Sequence, residues 1–237
     1  MPNPYFKFKQ FTVYHDRCAM KVCTDSCIFG AWFSGKAAGK QLILDIGAGS
    51  GLLTLMLAQK SQAAFHAIEI DPFAFEQLKQ NISASPWKDN ITALEGDAAA
   101  YPFTRKYDFI ITNPPFYDGD LKSDNTKINL ARHDAGLTFE IIIDIIDRNL
   151  TPGGSFGILL PFHRTAAFEQ LAAGTGFSLL EKVLIRQTTS HSFFRSILHF
   201  SKEGALSPQI CELIIRNSQG EYTEAFHALL RDYYLAL

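Results

Sequence analysis

Short apolar runs recur along this chain, divided by turn-forming residues and by stretches whose apolar positions repeat at helical spacing. Leu42–Ile46 reads as a buried strand, and the Leu-rich stretch 52–58 as a helix. The strand Ala64–Ile70 precedes a helix from Pro72 to about Ile82, with Asp71 placed to cap it. Ile91–Leu94 and 107–113 are further strands, and Thr138 caps an apolar helix reaching about Leu150. Pro152-Gly153-Gly154 turns into a strand over Ser155–Leu160, and a helix runs from Thr165 to near Gly174. Strands follow near 178–187, 194–201 and 210–216, then a helix from Thr223 to Tyr234. Upstream, residues 5–14 alternate as a strand or hairpin arm, and 24–33 read as a short helix capped by Thr24 or Asp25. Alternating helices and strands with a strand-rich end predict an α/β fold. Its sheet is expected to be mostly parallel and seven-stranded, with an antiparallel edge.

Residues 117–134 break the pattern. They are polar and aperiodic, and they hold Lys122, Lys127, Arg132 and His133. Long loops in compact domains are functional or mobile, so a substrate-side lid is expected here, with a solvated insertion as the alternative.

At 237 residues and 47% hydrophobic, the chain can bury one sizeable core. No apolar run approaches the ~20 residues a membrane helix needs, and the first residues lack an apolar signal segment. A cytoplasmic location is expected. The net charge of −2 does not announce nucleic acid, but its distribution does more. Lys7, Lys9, Arg17, Lys21, Lys36 and Lys40 stand against Asp16 and Asp25 in residues 1–40, so that segment is +4 and the remainder −6. A basic arm with aromatics between its lysines suits a surface that contacts phosphates and stacks on exposed bases; a packed β-arm is the alternative. Cys18, Cys23 and Cys27 lie near His15, yet their spacing lacks the close pair of structural zinc sites. With Cys211 far away, free thiols and no metal are expected.

The strand 42–46 runs into Gly47-Ala48-Gly49-Ser50-Gly51 and then a helix, the front of a βαβ nucleotide-binding unit. The third glycine comes one residue earlier than in dinucleotide-binding turns. Asp45 sits before the first glycine, where it would repel a pyrophosphate and attract an ammonium, such as the amino-acid end of S-adenosylmethionine. Glu69 ends the next strand and can accept both hydroxyls of a ribose, with Asp71 as the other candidate. Asp97, in Glu95-Gly96-Asp97-Ala98, could accept an adenine amino group or be a plain turn.

Asp108–Thr112 is a core strand that stops at Asn113-Pro114-Pro115-Phe116. Residues before proline are pushed to extended angles, so Asn113 and Pro114 form a stiff corner. That corner can present two acceptors, the Asn113 amide oxygen and the Pro114 carbonyl, to a planar amino group. Phe116 could stack on the ring that carries it. A plain loop with two prolines is the alternative.

Together, the glycine turn, the strand-ending acid, Gly-Asp and Asn-Pro-Pro-Phe resemble the Rossmann-like class I S-adenosylmethionine-dependent methyltransferases. Asn-Pro-Pro-aromatic marks their branch acting on amino nitrogens. A finer resemblance, to a bacterial tRNA(Val) (adenine-N6)-methyltransferase family, covers nearly the whole chain. It is carried by Phe8–Phe11, His15–Val22, Thr24-Asp25, Gly30-Ala31-Trp32, Leu44–Leu53, Ser85-Pro86-Trp87 and Tyr222–Phe226. The family pattern has Gly before Thr-Asp; this chain has Cys23.

The resemblance implies S-adenosylmethionine as cofactor and N6-methylation of the adenine on the 3′ side of the anticodon, position 37. Asp45, Gly47 and Gly49 would line the methionine end, Glu69 the ribose, Asp97 and Ala98 the adenine, with Thr24 and Asp25 over the pocket and Asn113 at its edge. Asn113, Pro114, Pro115 and Phe116 would hold the target base, and Lys7, Lys9, Arg17, Lys21 and Arg132 would contact tRNA. Two parts are expected: an N-terminal extension, 1–36, and a methyltransferase domain, 37–237, acting as a monomer.

Other readings remain. Protein-glutamine N5 methyltransferases share Asn-Pro-Pro-aromatic but carry a helical N-terminal domain, whereas only about 40 residues precede the glycine turn here. An rRNA or DNA base is a possible substrate. A nicotinamide oxidoreductase fits the fold but not the turn or Asn-Pro-Pro-Phe. A non-catalytic RNA-binding protein would need a broken motif, and none is broken.

Overall fold

The computed structural model describes residues 3–115, 137–204 and 207–236. Phe116 and the expected loop 117–134, with Lys122, Lys127, Arg132 and His133, lie outside the described residues. The arm at 5–14 is an antiparallel hairpin of β1 (Tyr5–Lys7) and β2 (Thr12–Tyr14), with Phe6 opposite Val13. Eight further strands form one sheet: β3 (Leu42–Ile46), β4 (Ala64–Glu69), β5 (Ile91–Glu95), β6 (Tyr107–Thr112), β7 (Leu150–Pro161), β8 (Ser178–Arg186), β9 (Arg195–Ser201) and β10 (Gln209–Ile214). Their order is β10-β8-β9-β7-β6-β3-β4-β5.

The α/β class is as expected; the sheet differs in two details. It has eight strands rather than seven, because every run read as a strand from residue 42 onward joins the one sheet, including 209–214, which pairs in parallel beyond β8. Its antiparallel strand, β9, is interior, hydrogen-bonded to β7 on one side and β8 on the other.

Alternation along the central strands divides the core. Ile43, Phe109, Ile111 and Leu159 face one layer, and Leu42, Leu44, Ile110 and Ile158 face the other. The first layer holds helices α1 (Thr24–Ser34), α2 (Leu52–Ala58) and α3 (Pro72–Ser83) and the hairpin. The second holds α4 (Phe139–Asn149) and α5 (Thr165–Gly174). A last helix, α6 (Glu224–Leu230), returns to the first layer.

Helix starts follow their capping residues. Asp71 accepts from Ala74 N at 2.8 Å, Thr138 from Ile141 N at 3.4 Å and Thr223 from Phe226 N at 3.2 Å. Helix α1 departs from expectation: Cys23 is its N-cap residue, with no side-chain bond, and Thr24 and Asp25 lie inside the first turn. The last helix stops at Leu230, short of Tyr234. Tyr233 turns inward to donate its hydroxyl to Met56 O at 3.0 Å, and Tyr234 bridges to Phe8.

That bridge decides which way the arm faces. Phe8 stacks on Phe11 at 4.5 Å, Phe6 meets Tyr234 at 5.3 Å, and Lys9 N donates to Tyr233 O at 2.8 Å. The phenylalanines therefore pack inward, and Tyr5 and Tyr14 keep the exposed face. Helix α1 precedes the expected division at residue 36, yet its Cys27, Ile28, Phe29 and Phe33 share one core with α2.

Gly157 of β7 permits the approach of α1. A Cβ there would lie 2.6 Å from two ring carbons of Phe33. Gly157→Ala is expected to destabilise the fold by ~1–3 kcal/mol, the usual cost of overpacking. At roughly 2–4 °C per kcal/mol for a domain of this size, thermal unfolding would register it.

Candidate functional site

The C-terminal ends of β3, β4, β5 and β6 point the same way, and the chain bends there into the motifs singled out above. This edge of a parallel sheet is where ligands bind in open α/β folds. The glycine turn is held against β4, with Gly47 N and Ala48 N donating to Ile68 O at 3.0 and 2.9 Å. Gly49 and Gly51 have φ of 55° and 82°, values that favour glycine. A Cβ at Gly51 would also meet Leu78 Cδ1 at 2.7 Å. At Gly47 and Gly49, by contrast, nothing lies within 4 Å of where a Cβ would stand, so open space faces the turn.

Asp45 is 1% exposed beneath this turn. Its Oδ2 accepts from Thr54 N at 3.2 Å and Thr54 Oγ1 at 2.6 Å, while Oδ1 is buried without a partner among the described residues. Burial pushes its carboxyl up to about 7 despite the two Thr54 bonds, and the charge of Glu69 adds to the rise. Glu69 is itself a hub. Its Oε2 accepts from Gly49 N at 2.7 Å and its Oε1 from Ile70 N and Asp71 N, both at 2.9 Å. These bonds fix its carboxylate and leave acceptor capacity, since an ionised carboxylate can accept about four. Asp71 serves as the cap of α3. Ile70 and Phe73 beside it are 63% and 70% exposed, an apolar surface for a ring.

Asp97 lies in a turn with its Oδ1 accepting from Ala99 N at 2.9 Å, and Ala98 is buried. Thr24 is exposed on the first turn of α1. Asp25 turns to β9, where Arg195 Nε donates to its Oδ2 at 2.7 Å, while its Oδ1 accepts from Ser26 N at 3.0 Å.

Asn113 completes the edge. Thr112 Oγ1 donates to Ile46 O at 2.9 Å, tying the end of β6 to that of β3. Beyond it, Asn113 Nδ2 donates to Ser26 Oγ at 2.9 Å, and Asn113 Oδ1 is buried without a partner among the described residues. A buried amide oxygen without a donor is costly, and it is the group an incoming amino N–H would satisfy. Pro114 is buried and Pro115 exposed.

Past the end of β7, the strand that pairs with β6, is a cleft of about 510 Å³ lined by Met20, Pro161, Phe162, His163, Phe193, Phe194 and Arg195. Phe162 and Phe193 lie 5.4 Å apart, and Arg195 sits 5.7 Å from the Phe194 ring. Sequence reasoning passed over Ser26, Thr54, Arg195 and these phenylalanines. A hint lay in Phe193-Phe194-Arg195, where paired aromatics meet a cation just before a strand.

The basic arm is exposed at Lys7, Lys9, Arg17 and Lys21. Lys9 also donates to the Arg231 carbonyl, which fastens the arm to the C-terminal turn. His15 closes the next segment, with Nδ1 accepting from Val22 N at 3.3 Å and Nε2 facing Asn3 O at 3.0 Å. Cys18, Cys23, Cys27 and Cys211 are free thiols, and no group of three or more His, Cys, Asp or Glu that could hold a metal was found among the described residues.

The residues present fit S-adenosylmethionine. A buried, unpartnered carboxylate oxygen suits an ammonium, the open turn lets the ligand backbone come close, and Glu69 and the exposed Ile70 and Phe73 suit a nucleoside.

Comparison with known proteins agrees. A family model described as "Methyltransferase small domain" matches residues 31–137. A tRNA1(Val) (adenine(37)-N6)-methyltransferase of Dyadobacter fermentans is 41% identical over 98% of this chain and 98% of its own. Its namesake in Phocaeicola vulgatus is 39% identical over 99% of each chain. Among solved structures, a predicted O-methyltransferase from Agrobacterium tumefaciens superposes with a TM-score of 0.68 at 19% identity, covering 87% of this chain and 95% of that one, a likeness of fold.

Proposed function

This chain belongs to the tRNA1(Val) (adenine(37)-N6)-methyltransferase family, and we infer that it transfers a methyl group from S-adenosylmethionine to N6 of adenine 37 in valine tRNA. The observation that best supports the chemistry is the buried, unpartnered Oδ1 of Asn113 at the end of β6.

Adenine N6 is a poor nucleophile because its lone pair is delocalised into the ring. Asn113 Oδ1 and the Pro114 carbonyl accept its two N–H bonds and favour a pyramidal nitrogen. The lone pair would then be free to take the methyl carbon, the N–C bond forming as that carbon's bond to sulfur breaks, and the amino proton would pass to water afterwards. S-adenosylmethionine supplies the electrophilic methyl. The chain contributes position and electrostatics. Asp45, Gly47 and Gly49 hold the amino-acid end, Glu69 the ribose, and Asp97 and Ala98 the adenine edge. No step calls for a metal.

The target adenine must leave its stack in the anticodon loop. Phe116 and the aromatic cleft at Phe162 and Phe194 offer replacement stacking, and Lys7, Arg17, Lys21 and Arg132 offer phosphate contacts. In this reading the basic segment ahead of α1 is the RNA-facing part, and α1, which shares its core with α2, belongs to the methyltransferase domain that continues through 37–237; the protein works as a monomer in the cytoplasm. No helix among the described residues is long and apolar enough to cross a membrane.

Base–aromatic stacking is worth ~1–3 kcal/mol per base, so Phe194→Ala or Phe162→Ala is expected to raise KM for tRNA roughly 5–150-fold and leave cofactor affinity unchanged. An unchanged KM in both variants removes the cleft from the RNA path. Substrate class is tested with labelled S-adenosylmethionine and separate pools of unmodified tRNA, rRNA, DNA and cell protein. Label confined to tRNA supports the assignment; label in rRNA or protein overturns the substrate and keeps the fold.

A further inference from the structure

An amide side chain has two ends of nearly equal size. Turned by 180°, Asn113 would present an NH2 group to the adenine amino group, and donor would meet donor. Something must choose the end. Asn113 Nδ2 donates to Ser26 Oγ at 2.9 Å, which leaves Oδ1 buried, unpartnered and available.

Ser26 is well placed to hold that choice. It is 5% exposed on the first turn of α1. Its backbone N donates to Asp25 Oδ1 at 3.0 Å, and Asp25 Oδ2 is anchored by Arg195 Nε at 2.7 Å. Its hydroxyl also meets Cys23 Sγ at 3.0 Å; donating its one proton to that sulfur leaves the Ser26 oxygen only to accept, and an acceptor selects the Nδ2 end of Asn113. Ser26 thus stands at the meeting of α1, β9 and the end of β6, and a backbone shift of any one would move the hydroxyl. The bond also shows where Cys23 enters the site: its thiol touches the hydroxyl that touches the amide.

We propose that Ser26 is a positioning residue for methyl transfer: its hydroxyl accepts from Asn113 Nδ2 and thereby fixes Asn113 with Oδ1 toward the target amino group. The proposal rests on the role given to Asn113 above. Ser26 itself touches neither the methyl group nor the base. Its contribution is the orientation of the group that does.

The test is single-turnover methyl transfer at saturating tRNA and cofactor, for Ser26→Ala, Ser26→Thr and Asn113→Ala, with cofactor and tRNA affinities measured beside it. Ser26→Ala is expected to lower the transfer rate roughly 2–13-fold, the range set by one hydrogen bond that selects between two amide orientations. Affinities should stay within about twofold, since the variant removes no ligand contact. Ser26→Thr keeps the hydroxyl and should recover most of the rate. A Ser26→Ala enzyme at the wild-type rate overturns the proposal. So does a rate loss matched by an equal loss of cofactor affinity, which would mark a collapse of the pocket. If Asn113→Ala is also fully active, the reading of Asn113 fails with it; if Asn113→Ala is inactive and Ser26→Ala is not, only the positioning role falls.

Discussion

Asn113→Ala is expected to slow methyl transfer by ~10²–10³-fold and to leave S-adenosylmethionine affinity nearly unchanged, the usual loss when one well-placed partner of the reacting group is removed. The size follows from where the oxygen sits. Asn113 Oδ1 is buried with no partner among the described residues, so the protein already bears the cost of desolvating it. That cost is recovered when an amino N–H arrives and the nitrogen becomes pyramidal. An interaction that strengthens on the way to the transition state lowers kcat when it is lost. Stopped-flow or quenched methyl transfer, with cofactor binding by calorimetry, separates the two quantities. A variant that turns over at the wild-type rate would remove Asn113 from the chemistry.

The second large effect is at Asp45. Asp45→Asn is expected to weaken S-adenosylmethionine binding by ~10–150-fold, the equivalent of a charge-assisted hydrogen bond worth about 1.5–3 kcal/mol. Its pH behaviour is distinctive. Burial raises the carboxyl to about 7 in the unliganded protein, from an ordinary value of 3.8. Below about pH 7 the wild-type carboxyl takes up a proton and loses its attraction for the cofactor ammonium. Wild-type affinity should therefore fall with acidification by up to about tenfold per pH unit, beyond whatever slope the asparagine variant shows.

Stability moves the other way. Between pH 3.8 and about 7 the folded state keeps a proton that the unfolded chain has released, so stability declines as pH rises through that window and stays lower above it. Asp45→Asn removes this term. At pH 8 the unliganded variant should melt several degrees above wild type, at roughly 2–4 °C per kcal/mol, while binding the cofactor poorly. Parallel pH slopes for the two proteins, or a lower melting point for the variant, would contradict the account of Asp45.

Much of this site could be read from the chain because its chemistry is local. Asp71 caps α3, Thr138 caps α4, and the strand at 107–112 stops at two prolines that cannot extend a ladder. The glycine turn and the acid ending β4 declare themselves by spacing.

What escaped is tertiary. Ser26 and Asn113 are 87 positions apart, and Asp25 and Arg195 are 170 apart; no periodicity joins either pair. Asp25 looked like a cap or a cofactor residue, and its carboxylate is committed to β9 and Ser26 N. Alternation in the arm shows which residues share a face, not which face meets the core. The bridge between Phe8 and Tyr234 turned the phenylalanines inward and ended the last helix early. Strand order is likewise invisible to a local pattern, so antiparallel pairing was expected at an edge of the sheet, whereas the antiparallel strand, β9, lies between β7 and β8.

The central claim is that one adenine amino group receives the methyl. The most direct measurement uses unmodified valine tRNA transcripts, one with adenine at position 37 and one with guanine there, labelled S-adenosylmethionine, and nucleoside analysis of the product. The account predicts one methyl per adenine-37 transcript, recovered as N6-methyladenosine, and none on the guanine-37 transcript. Equal labelling of both transcripts, or label recovered on any other nucleoside, would contradict it.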